Sequence, residues 1–122
     1  MKVIYKSTAY KIISVLRAYM VKTYYLGKIS LPKTSMIGRR CGVYIKNAGT
    51  IKCQGRIIVN DDVMIYSQGD LTLGDNFGIN SYSRIVAHEK IEIGNNVTIG
   101  QMVSILDHDH NYVMQDGDMG LD

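Results

Sequence analysis

From Ile37 to Ile105 an apolar residue returns at every sixth position. The starts fall at Ile37 and Val43, at Ile45, Ile51 and Ile57, and at Val59, Ile65 and Leu71. They continue at Leu73, Ile79, Ile85 and Ile91, then at Ile93, Ile99 and Ile105. The runs join through two-residue slips at 43/45, 57/59, 71/73 and 91/93. A period of six is neither the 3.6 of a helix nor the 2 of a strand. It marks a β-solenoid, in which short strands turn a corner every six residues and inward aliphatics stack from coil to coil. Gly74, Gly94 and Gly100, with Asp75-Asn76 and Asn95-Asn96, supply residues that tolerate the left-handed backbone angles of tight corners. Residues 45–72 are less regular, with two hexads per block where a three-sided coil needs three, so a shortened coil or a loop is expected there.

Upstream of the ladder, residues 8–25 (TAYKIISVLRAYMVKTYY) have helical periodicity. Ile12, Ile13, Leu16, Tyr19, Met20 and Tyr24 fall on one face, and Lys11, Ser14 and Lys22 lie opposite. Ser7 or Thr8 is placed to cap the start and Gly27 to end the helix. Such a helix has two uses: to cover the open end of the solenoid, or to lie at a membrane interface, which its tyrosines and cations suit. The domain reading is therefore an amphipathic helix and connector over 1–34, followed by a β-helix domain over 35–122.

Charge is divided along the chain. Residues 1–60 hold twelve Lys or Arg and no acid, whereas residues 61–122 hold Arg84 and Lys90 against all eleven acids. The halves are thus about +12 and −9 (the second from 2 − 11), and the basic half should attract anionic surfaces. Solvation, or pairing between subunits, is the alternative use of that charge. Hydrophobic residues at 46% exclude a disordered chain, and no apolar run reaches transmembrane length. Two cysteines, Cys41 and Cys53, make no disulfide framework and read as free thiols in a reducing cytoplasm.

The ladder ends in chemistry. In IGNNVTIGQMVSILDHDHNY, residues 93–112, the unit that starts at Ile105 breaks into Asp107, His108, Asp109 and His110. This run and the preceding LGDNFGINSYSRIVAHEK resemble the hexapeptide-repeat acyltransferases, and among them the galactoside, maltose and capsular polysaccharide O-acetyltransferases. The resemblance covers residues 37 to about 115. It rests on Asn80 in DNFGIN and on a His thirty residues later at the end of the hexads, His110.

That resemblance implies a left-handed parallel β-helix, acetyl-CoA as co-substrate without a metal, a sugar or glycan acceptor, and a homotrimer. Apart from the resemblance, the free thiols are expected to place the protein in the cytoplasm and the basic N-terminal half to bring it to the inner membrane face, with no nucleic-acid partner. The resemblance makes His110 the general base, with His108 as the competing candidate, and gives Asn80 a role in holding the acceptor. An imidazole, with an ordinary pKa near 6.5, is matched to removing a hydroxyl proton at neutral pH. Tyr82 and Arg84 are candidates to line the acceptor groove, and Asp107 and Asp109 to orient an imidazole or bind sugar. His88 reads as structural. Set against the family, the chain lacks an acid before Asp61 and ends soon after His110, so C-terminal coils that help build the donor groove are expected to be missing.

Two other readings carry different expectations. A non-catalytic scaffold subunit would bind no acetyl-CoA. A zinc enzyme like the gamma-class carbonic anhydrases would use His88, His108 and His110, although one residue separates the last two here where four separate that family's pair.

Overall fold

The computed structural model describes residues 7–108. Helix α1 (Thr8–Tyr24) opens the chain, and twelve short strands follow. Three of them form the first coil: β1 (Ile29–Ser30), β2 (Met36–Ile37) and β3 (Gly42–Ile45). The second holds β4 (Thr50–Cys53), β5 (Ile57–Val59) and β6 (Met64–Ser67). The third holds β7 (Asp70–Leu73), β8 (Phe77–Ile79) and β9 (Arg84–Ala87), and the fourth β10 (Lys90–Ile93), β11 (Thr98–Ile99) and β12 (Ser104–Leu106). Every third strand stacks in parallel, giving three four-stranded sheets in the orders β1-β4-β7-β10, β2-β5-β8-β11 and β3-β6-β9-β12. The fold is a three-sided parallel β-solenoid of about four turns, as the period of six requires. Its first strand, Ile29–Ser30, joins from within the connector by pairing with β4.

Residues 45–72 form a complete coil, not a shortened one. β3 pairs with β6 at an offset of 22 residues (Val43 with Ile65), and β4 pairs with β7 at an offset of 20 (Ile51 with Leu71). Later pairings keep the offset of 20, as with Ile85 and Ile105. The two-residue slips are the strands themselves. Leu71 and Leu73 both point inward from β7, as Ile57 and Val59 do from β5, because alternate residues of a strand share a face. The third side is longer than the other two: Ser83, Ile85 and Ala87 are all buried, which adds an inward position and two residues to each coil. The first coil gains two more at the corner Lys46–Gly49, where later coils turn through Gln68-Gly69 and His88-Glu89.

All fifteen residues of the sixfold ladder lie in the core or pack against it. Cys53 sits among them, and burial pushes its thiol up to about 12, so it stays protonated. Both cysteines are free.

Ser7 caps α1 by accepting a hydrogen bond from the Tyr10 N–H at 3.0 Å. Gly27, at φ 88°, turns the chain out of the helix. The helix packs beside β2. Arg17 donates to the Ile37 carbonyl at 3.3 Å, and the Tyr10 hydroxyl donates to Asp61 at 2.6 Å. Ser14 and Ala18 are the buried helix residues. The expected apolar face is therefore not the one that covers the solenoid: Ile12, Leu16, Met20 and Tyr24 are all more than half exposed. Close approach to the edge strand selects small residues, so Ser14, expected on the far side, lies at the contact.

Candidate functional site

The two ends of the long third side carry the polar chemistry. At its leading end the corner residue of each coil has a positive φ: Arg40 (55°), Asp62 (59°), Tyr82 (64°) and Met102 (57°). Arg40, Tyr82 and Met102 hold this left-handed conformation at a cost of roughly 1–2 kcal/mol each, whereas Asp62 is a residue type that tolerates it. Stacked at offsets of 22 and 20, the first three line one open groove of about 480 Å³ with Gly42, Tyr44, Val63, Met64, Ser83 and Arg84. Tyr44 and Tyr82 are 45% and 67% exposed there. Arg40 makes a two-pronged ion pair with Asp62, at 2.7 and 2.9 Å, which holds the Asp62 carboxyl below the usual carboxylate range. Arg84 donates from Nε to the Ser104 hydroxyl at 3.1 Å.

The structure thus brings Tyr82 and Arg84 together in a groove and adds Arg40, Tyr44 and Asp62 to them. Asn80 belongs to a different feature. Its amide oxygen accepts from Asn60 at 2.7 Å and its amide nitrogen donates to the Ile99 carbonyl at 3.0 Å. One donor and one acceptor of Asn80 are therefore used between coils, out of the two of each that an amide carries.

At the trailing end of the same side, Gln68, His88 and His108 occupy one corner on successive coils. The His88 and His108 rings stack at 3.7 Å between centroids and 3° between planes, and Tyr66 packs near His88 at 6.1 Å. His88, read from the sequence as structural, is thus a direct partner of a site candidate. The spacing of one coil, twenty residues, was the signal for it. Asp107 follows Ile45, Ser67 and Ala87 on the inward ladder of this corner. Its carboxylate turns back to accept from the backbone N–H groups of His88, Glu89 and Lys90, at 2.7, 2.8 and 2.8 Å. Desolvation works to raise its pKa, but those three donors outweigh it and hold Asp107 below the usual range. The His108 Nδ1 lies 3.8 Å from Asp107 Oδ1.

Asp107 is therefore first a corner-forming group and second a neighbour of an imidazole. Asp109 and His110 lie outside the described residues. Among the described residues no cluster of three His, Cys, Asp or Glu could hold a metal ion. Stacked rings also aim their in-plane lone pairs side by side, not at a shared point as metal ligands must.

The groove and the imidazole corner stand about 13 Å apart, the length of the four-residue strand that joins Arg84 to His88. Compared with protein-family models, with curated proteins and with solved structures, the chain matches none of them.

Proposed function

We propose that the chain is a left-handed hexapeptide-repeat O-acetyltransferase subunit that acts on a hydroxyl of a sugar or surface polysaccharide precursor. The observation that carries this reading is the long third side of the solenoid. It holds an open groove with two exposed tyrosines at one end and, at the other, a stack of His88 on His108 beside Asp107, the first two residues of the DHDH run being Asp107 and His108.

The groove suits a polyhydroxylated acceptor. Tyr44 and Tyr82 offer aromatic faces to the C–H surfaces of a sugar ring, and the Asp62 carboxylate offers an acceptor for a hydroxyl. Arg40 is neutralised by Asp62, which leaves Arg84 as the groove's uncompensated cation and favours an acceptor with a single anionic substituent. One guanidinium does not fit the several phosphates of the donor, so no residue of this groove is assigned to acetyl-CoA.

Acetyl-CoA would supply an activated thioester acyl group. The chain's part is to take the acceptor's hydroxyl proton as its oxygen attacks. His110 is proposed as that base and His108 as the second candidate, because the His108 ring is already packed on His88 at the corner. A homotrimer, with sites between subunits, belongs to the same proposal.

Isothermal titration of the full-length protein with acetyl-CoA, paired with an assay for thiol released in the presence of sugar acceptors, tests it. Saturable binding and acceptor-dependent thiol release are expected. Absence of both would favour a scaffold subunit.

A further inference from the structure

The outer face of α1 is largely exposed, with Tyr24 meeting Tyr25 edge-on at 4.7 Å between ring centroids. Ile12, Ile13, Leu16, Tyr19, Met20 and Tyr24 are between 42% and 80% exposed. At 100° per residue they form one arc, completed by Ala9 and Thr23, that contains no charged group. Lys11, Arg17 and Lys22 all fall on the half of the helix turned toward the solenoid. An uninterrupted apolar face of this length on a helix that already uses its other side for packing marks a docking surface.

The charge around it selects the occupant. Residues 1–60 carry twelve cations and no acid, and among the described residues only Arg39 and Arg40 of these are paired with carboxylates, Asp61 and Asp62. A second copy docked helix against helix would bring two strongly basic segments together. A nucleic acid would meet an arc with no cation to receive its phosphates. An anionic bilayer accommodates both features, since the arc enters the acyl boundary while the basic first half of the chain is drawn to the negative surface over about a Debye length. Tyr19 and Tyr24 have the amphipathic rings that favour this depth. No helix among the described residues is long and apolar enough to cross a membrane.

We propose that α1 lies flat on an anionic phospholipid surface, its Ile12-to-Tyr24 face buried in the interface and the solenoid held above it. The inference does not depend on the proposed acetyl transfer.

Co-sedimentation of the full chain with vesicles of phosphatidylglycerol and phosphatidylethanolamine, against pure phosphatidylcholine, tests it. The double variant Leu16→Gln, Met20→Gln replaces two exposed side chains with good helix formers, and an unchanged circular dichroism melt shows that the fold is kept. Wild type should bind the anionic vesicles and bind phosphatidylcholine far less. The variant should lose about tenfold or more in partitioning. Raising the salt from about 0.1 M to about 1 M should weaken wild-type binding. Failure of wild type to bind anionic vesicles overturns the proposal, as does equal binding to phosphatidylcholine or equal binding by the variant. A wild-type oligomer that the variant dissociates, with no vesicle binding by either, would give this face to a second copy instead.

Discussion

At the scale of single residues, the corner at His88-Glu89 shows how a polar side chain can replace an aliphatic one without loss of order. Ile45, Ser67, Ala87 and Asp107 share one inward ladder, and Ser67 and Ala87 flank corners of only two residues. Ser67 donates its hydroxyl to backbone carbonyls there, while Asp107 accepts three backbone N–H groups. The lowered pKa of Asp107 means that its contribution is complete above the ordinary aspartate range. It is lost as pH falls through the lower folded-state value. Asp61 behaves alike. Burial opposes its ionisation, but the Tyr10 hydroxyl and Arg39 outweigh it and hold its carboxyl down. Wild-type stability against urea is therefore expected to fall as pH drops below about 4. Asp107→Asn should cost about 1–3 kcal/mol at neutral pH and flatten the acid limb. Urea midpoints for the two proteins across pH would converge at low pH, and parallel curves would contradict this role for Asp107.

At the scale of elements, the coil is set by how closely successive corners approach. A Cβ on Gly69 would run into the backbone of Glu89 one coil away, where the Gly69 carbonyl also accepts from Ser67. Gly69→Ala is expected to destabilise the solenoid by about 1–3 kcal/mol through overpacking, and a thermal melt of the variant reads it directly. The strands were legible in the sequence because each aliphatic at the sixfold positions reports one inward site, and those sites fill the core. The coil length was not. Two hexads and a slip look like a gap, but an inward pair at i and i+2 on one strand gives the same spacing, so residues 45–72 looked irregular although they form a full coil. The helix was legible in its bounds but not in its orientation. Hydropathy alone turns the apolar arc inward, whereas close packing on β2 selects Ser14 and Ala18.

At the scale of the whole molecule, the solenoid places residues from four coils on one side, which explains what could be read of the site. Tyr82 and Arg84 were visible as neighbours of Asn80. Arg40, Tyr44 and Asp62 were not, because they come from earlier coils and align only once the offsets of 22 and 20 are known. The same stacking takes Asn80 partly into a ladder with Asn60, and brings His88 onto His108. Helix α1 closes the other end of the design: one face contacts the first coil and its apolar arc is left for an outside surface. The charge division has a partial structural cause as well, since Arg39 and Arg40 of the first coil pair with Asp61 and Asp62 of the second.

On the proposed function, this scaffold presents a histidine base for acetyl transfer to a sugar hydroxyl. The most direct test of that base is the rate of acetyl transfer from acetyl-CoA by full-length wild type, His110→Ala and His108→Ala, with thermal melts to confirm that each is folded. His110→Ala is expected to lower the rate by about 10²- to 10⁴-fold, the range for loss of a general base. His108→Ala is expected to keep most of the activity. A folded His110→Ala protein that transfers acetyl as fast as wild type would contradict the proposed role of His110.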